Sequence, residues 1–238
     1  MDQTDIIPWG ALSIVPGWPR YIDQDGDGKI TRGLSARDPK DLSVIGNTTQ
    51  RFRMGLNLSA DWNGFDFSVL MQGVGMADYY PSRYLFWGPY QQPYANVYPW
   101  NLDFYRGTSE TGSDRERHSA SYLAAGLADA NTDNPAYPVL QSWMADANYG
   151  GGLDIPQTRY LLSAAYLRIK NVALGYSLPA AVLQKIKLSR LRFYVSAENL
   201  FEFSSIKRYV DPEAINANDE STAYPFQRRL SFGVNLQF

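Results

Sequence analysis

Between Arg51 and Gln72 the chain alternates polar and apolar residues with a period of two, and this pattern narrows the folds open to it. Phe52, Met54, Leu56, Leu58, Ala60 and Trp62 fill the even positions, with Arg51, Arg53, Asn57, Ser59 and Asp61 among the odd ones. Side chains of an extended strand point alternately to its two faces, so the run predicts a strand with one apolar and one polar face. Asn63-Gly64 follows, and both residues accept the positive φ that a two-residue hairpin turn requires. The next strand carries Phe65, Phe67, Val69 and Met71 on one face and Asp66, Ser68 and Gln72 on the other. A β-hairpin over 51–73 is the expectation.

The rhythm returns in the last third. Val172, Leu174, Tyr176 and Leu178 oppose Asn171, Ala173, Gly175 and Ser177, while Leu167 and Ile169 sit in the other phase. Such a switch implies a bulge, or a rim section whose inner face is packed by a loop. Pro179 ends that strand, and 180–186 suit a single helical turn. Leu191, Phe193, Val195 and Ala197 alternate with Arg192, Tyr194, Ser196 and Glu198; Leu230, Phe232, Val234, Leu236 and Phe238 alternate with Arg229, Ser231, Gly233, Asn235 and Gln237. Residues 74–159 keep no period and are rich in Tyr, Trp, Pro and Gly. A connection that long predicts a functional surface loop, with a short helix near 120–129. A second loop runs from about 204 to 226.

Composition excludes several functions. A net charge of −2 leaves no electrostatic footprint for nucleic acid. The absence of cysteine removes disulfides, iron–sulfur clusters, thiol catalysis and Cys-ligated zinc. The single histidine, His118, lies in the polar stretch 113–119 without a nucleophile or acid at recognisable spacing, so an exposed loop residue is expected. No phosphate loop, dinucleotide fingerprint or nucleophile elbow occurs, and no enzyme is expected. No run approaches a transmembrane helix, and 1–10 lack the pattern of a signal peptide. Membrane β-strands need neither, since they show only alternation.

A soluble β-sandwich and a membrane barrel both fit alternation alone. Connections that are short, very long, short and long favour the barrel, as do strands of about ten residues and aromatics at their ends (Trp62, Tyr176, Phe201, Phe203). Five clear strands cannot close a barrel, which takes about eight. The predicted fold is therefore all-β: an antiparallel up-and-down transmembrane barrel segment of about five to six strands with long extracellular loops. It divides into 1–50 (a preceding strand and a loop), 51–73 (a hairpin), 74–159 (a long extracellular loop) and 160–238 (the last three strands).

DQDGDGKIT (23–31), VIGN (44–47), MGLNLSADWNGFDFSVLMQGVG (54–75), DNPAYP (133–138), YLRIKNVALGYSLP (166–179) and LRFYVSAENLFEF (191–203) occur in that order. With the final octet, they make the chain resemble the C-terminal part of a SusC/RagA-type TonB-dependent outer-membrane transporter. The resemblance implies a wall portion of a barrel of about 22 strands, set in outer-membrane lipid. It also implies import of oligosaccharides or peptides, a SusD-like surface lipoprotein as lid, and energy from the TonB complex through an N-terminal plug. Plug, TonB box and signal peptide are not recognisable here, so a fragment incompetent for transport alone is expected. The runner-up is a soluble all-β carbohydrate-binding module.

Four groups of residues are singled out. Asp23, Asp25 and Asp27 match the first half of a calcium loop, with Gly28 at the sharp turn and Lys29 next. Position twelve would be Leu34, which cannot coordinate, and the resemblance assigns the closing acid to Asp41. Ca²⁺ in the 23–41 loop and a solvated Asx-turn cluster both stay open. Trp87, Tyr90, Tyr94, Trp100 and Trp143, with Tyr98, are candidates for substrate or lid contact; packing of the loop on itself is the alternative. Arg51, Arg53, Asp61, Asp66, Arg192, Glu198 and Arg229 either line a polar lumen or pair on the sheet face. Ser231, Gly233, Leu236 and Phe238 resemble the C-terminal assembly signal of outer-membrane barrels.

Overall fold

The computed structural model describes residues 14–81, 84–146, 152–153, 155–215 and 226–238. The chain divides into two compact units, one made of 1–46 and 80–161, the other of 47–79 and 162–238.

The second unit contains the sheet. Its strands are β3 (Phe52–Trp62), β4 (Phe65–Gly75), β7 (Tyr166–Ser177), β8 (Arg190–Ser204) and β9 (Arg229–Gln237), ordered β3-β4-β7-β8-β9 and antiparallel throughout. Asn63 and Gly64 have φ of 48° and 86°, as their hairpin turn demands. A Cβ on Gly64 would stand 2.7 Å from the Ser177 carbonyl, so the turn also needs glycine for space. The β7–β8 link holds a short helix (Ala180–Lys185), and the β8–β9 link is long. The short connections leave one end of the sheet and the long ones the other.

Register explains the phase switch. Leu70 pairs with Asn171 but Met71 pairs with Ile169, which leaves Lys170 as an extra residue; across the next ladder Ile169 faces Phe201 and Asn171 faces Glu198. This bulge restores the apolar side chains to one face. Trp62, Phe65, Tyr176, Phe193 and Val234 form one row of that face, and Leu58, Val69, Val172, Ala197 and Leu230 form a middle row. Beyond the bulge, Leu56, Met71, Ile169 and Phe201 continue it.

Among the described residues nothing in the sheet unit covers this face: Trp62 is 77% exposed and Phe232 82%. An apolar surface spanning five strands is larger than a monomeric soluble domain ordinarily leaves bare and marks a face made for lipid or a partner. A sandwich would have buried it, so the soluble-module alternative loses its structural basis. Eleven residues at roughly 3.3 Å each, tilted about 40°, rise roughly 28 Å, close to the apolar band of an outer-membrane barrel. Both edge strands of the sheet lack a further partner among the described residues, as expected of an open wall segment.

At the long-loop end, β5 (Asp78–Tyr79) pairs with β6 (Leu162–Ser163). Tyr79, Ile206 and Val210 form a small core there, with Leu162, Ala164 and Ile215 packed against it. The 205–215 loop thus packs this rim, so the bulge and the loop-covered rim occur together.

The first unit is made of loops and short elements. Strands β1 (Arg32–Ser35) and β2 (Asp38–Lys40) pair as a small hairpin, and short helices lie at Tyr84–Trp87, Gly112–Glu116 and Ala120–Ala124. Residues 1–13 lie outside the described residues, and 14–50 contribute no strand to the five-stranded sheet.

Candidate functional site

The Asp-rich loop is shaped by its own amides. Asp23 accepts hydrogen bonds from the Gly26 and Gly28 N–H groups (2.6 and 2.9 Å), and Asp27 accepts from Lys29 (2.8 Å). Gly26 and Gly28 adopt φ of 76° and 84°. One carboxylate oxygen from each of Asp23, Asp25 and Asp27 lies within 4.8 Å of the others. That set suits a hard cation in kind, although Lys40 Nζ already stands 3.5 Å from Asp25. Asp41 closes the loop by another route: its carboxylate accepts from the Gln24 and Thr31 N–H groups (2.7 and 2.5 Å). Partial burial opposes its charge, but the amides of Thr31, Gln24 and Asp25 outweigh that and hold the carboxyl below its ordinary range.

The aromatic candidates split into two groups. Trp87 and Tyr90 are fully buried, which corrects their expected contact role. Trp87 Nε1 donates to the Pro81 carbonyl and Tyr90 Oη to that of Pro138, both at 2.8 Å. Their ring faces are taken by neighbours: Tyr90 stacks on Tyr137 at 5.2 Å, and Trp87 meets Tyr160 edge-on at 4.9 Å. They build the core of the first unit together with Ile30, Phe86, Met144 and Leu153, which are buried as well. Buried Asn101 ties it further, donating to the Phe86 carbonyl and accepting from the Tyr98 N–H. Arg106 binds the carbonyls of Leu102, Phe104, Gly126 and Asp129, a clamp that no sequence pattern announced. Tyr94 is 76% exposed and meets half-buried Trp143 edge-on, while half-buried Trp100 stacks on Tyr98 at 4.8 Å. The contact reading is left with Tyr94, Trp100 and Trp143.

His118 is half-buried, with Nε2 2.5 Å from Glu110 and its ring stacked on Tyr122 at 4.0 Å. The half-buried ring corrects the expectation of an exposed loop histidine.

The polar face of the sheet is organised by ion pairs. Asp66 on β4 and Arg192 on β8 reach each other across β7 through two hydrogen bonds of 2.8 and 2.5 Å. Gly175, the β7 residue between them, makes the crossing possible, since a Cβ there would collide with both side chains. Tyr194 lies over Gly233 in the same manner, and Arg192 sits 5.0 Å from its ring centroid. Gly233 of the terminal octet therefore has a packing role. Ser231 shares its polar face, while Leu236 and Phe238 are exposed on or beyond β9. Glu198 and Arg229 are 3.5 Å apart, whereas Arg51 donates to the Met76 carbonyl and Arg53 to Gln50.

At the bulge a denser network appears. Arg168 is almost wholly buried and meets Glu202, Asp211 (2.7 Å) and Glu213 (3.2 Å), and Lys170 pairs with Glu213 at 2.5 Å. Sequence reasoning missed these residues. The phase switch at Ile169 was the available signal, because a bulge beside a folded-over loop is where an inward cation needs partners.

Geometry thus defines a class: an antiparallel sheet with one open apolar face, an opposite face knit by ion pairs, and long connections leaving one of its ends. No family model matches the chain. It is similar to TonB-dependent receptor P3 of Formosa agariphila, 27% identical over 236 residues, which covers 94% of this chain and 19% of that receptor. TonB-dependent receptor P39 of the same organism is 26% identical over 229 residues, covering 92% and 18%. Among solved structures, the RagAB peptide transporter superposes with a TM-score of 0.56 at 20% identity, over 91% of this chain and 20% of that one. The RagAB peptide importer in its open-open state gives 0.56 at 21%, over 92% and 20%. The chain spans about a fifth of the length of these relatives. The chain is similar to TonB-dependent receptors, shares its fold with the RagAB structures, and its location is the outer membrane. Its relatives are receptors and transporters, and the chain is not an enzyme.

Proposed function

We propose that the chain forms the C-terminal part of the barrel wall of a TonB-dependent importer of oligosaccharides or peptides. The carrying observation is the two-sidedness of the sheet: its apolar face stands open across five strands while its opposite face is knit by ion pairs. In this reading the open face meets lipid and the charged face borders plug and pore. A SusD-like lipoprotein caps the loop end, and the TonB complex acts through a plug outside this sequence. Tyr94, Trp100 and Trp143 supply the aromatic contact surface for substrate or lid. Asp23, Asp25 and Asp27 are the residues that would take Ca²⁺. Ser231, Gly233, Leu236 and Phe238 serve barrel assembly.

The test is uptake of labelled oligosaccharides and peptides by cells carrying or lacking the gene that encodes this sequence. Loss of uptake with the gene, restored by complementation, supports import; equal uptake of every substrate refutes it. Calorimetric titration with calcium addresses the loop separately, and no heat at millimolar metal removes that site.

A further inference from the structure

Beside the Arg168 network, the polar side of the sheet unit opens into a recess of 420 Å³ walled by Asn199, Lys207, Arg208, Phe226 and Arg228. Its floor is electrically closed, because the Arg168 guanidinium is surrounded by Glu202, Asp211 and Glu213. Its rim is not. Among the described residues, Lys207, Arg208 and Arg228 form no ion pair with a carboxylate: Lys207 donates to the Glu202 carbonyl and Arg208 to the Tyr209 hydroxyl. Among the described residues, three cations without a carboxylate partner thus stand around one concavity, beside a floor where Glu202 and Asp211 are already engaged by Arg168, and they concentrate positive potential at its rim.

The floor also positions the rim. Asp211 Oδ1 accepts from Arg168 and from the Glu213 N–H, and Oδ2 accepts from the Phe226 N–H at 3.2 Å. This carboxylate therefore joins the loop after β8 to the approach to β9, and it brings Arg228, two residues on from Phe226, to the recess that Lys207 and Arg208 line. Arg168 and Lys170 lie 5.0 and 4.6 Å from the Phe226 ring centroid, which fixes that wall. Two guanidinium forks and one ammonium match a planar carboxylate, which guanidinium binds through paired hydrogen bonds.

We propose that this recess binds a carboxylate group of the substrate, carried by an acidic peptide side chain or by a uronic acid unit of an oligosaccharide. That the ligand is transported cargo rests on the import function proposed for the chain; the binding itself does not.

Titration calorimetry on the full chain in detergent micelles at low salt tests it, with triglutamate and trigalacturonate as probes and triglutamine and a neutral trisaccharide as controls. At least one acidic probe is expected to bind on the order of tenfold more tightly than its neutral control, and to weaken as salt rises. Which acidic probe binds identifies the source of the carboxylate. Replacing Lys207, Arg208 and Arg228 together by Gln should remove that preference, and unchanged thermal melting shows that these exposed positions do not carry the fold. Equal binding of acidic and neutral probes, no binding of either acidic probe, or full affinity in the triple variant each overturns the proposal. Acid-selective binding in a protein that supports no uptake would instead refute import and leave the site standing.

Discussion

At the scale of single residues, side chains of the same chemical kind take opposite roles according to burial. Trp87 and Tyr94 both lie in the long aromatic segment, yet Trp87 is enclosed and Tyr94 is open. Trp87→Ala should therefore destabilise the first unit by about 3–5 kcal/mol, the usual cost of emptying a large aromatic site. Tyr94→Ala should change stability by under about 0.5 kcal/mol. Thermal unfolding in detergent, followed by near-ultraviolet circular dichroism, separates the two. Burial also pushes the Tyr160 hydroxyl up to about 12, with Arg159 partly opposing the shift. A raised pKa in the folded state means stability that is whole below about pH 10, the ordinary tyrosine value, and declines as pH climbs towards 12. Spectrophotometric titration should show late-ionising phenols, Tyr160 and the more deeply buried Tyr90 among them, and Tyr160→Phe should remove the component near 12 while leaving the rest.

At the scale of elements, the sheet's two faces differ in what they accept. Val69 occupies the middle row of the apolar face, and Ser68 points the other way on the same strand. Val69→Arg should cost about 2–4 kcal/mol in a bilayer, the range for a cation near the midplane, while Ser68→Arg should cost far less. Reversible unfolding in lipid vesicles measures both, and similar costs would contradict the assigned orientation. Gly175 provides a second test. A methyl group there enters the space between Asp66 and Arg192, so Gly175→Ala should separate the pair that couples β4 to β8. The coupling energy from an Asp66→Ala and Arg192→Ala double-mutant cycle should fall towards zero in the Gly175→Ala background.

At the scale of the whole molecule, the two units bury their apolar residues by different means. The first closes around stacked aromatics and backbone carbonyls held by Arg106 and Asn101. The second leaves an entire apolar face outward and buries charges on the opposite side. Dilution out of detergent into buffer should precipitate the chain through that face, and transfer into lipid vesicles should keep it dispersed. A clear, monomeric solution without detergent, by light scattering, would falsify the wall assignment.

The strands, their apolar face and the Asn63-Gly64 turn were determined by local sequence, because a period of two and a demand for positive φ are properties of a few adjacent residues. Even the bulge announced itself as a phase change at Ile169. Only the tertiary structure decided that Trp87 and Tyr90 are core, that Gly175 and Gly233 exist to let Arg192 and Tyr194 lie across neighbouring strands, and that Arg168 is enclosed by three carboxylates. Asp66 and Arg192 stand 126 residues apart, and Arg168 and Asp211 stand 43 apart. Contacts between such distant positions depend on strand register and loop path, which no local pattern of residues encodes.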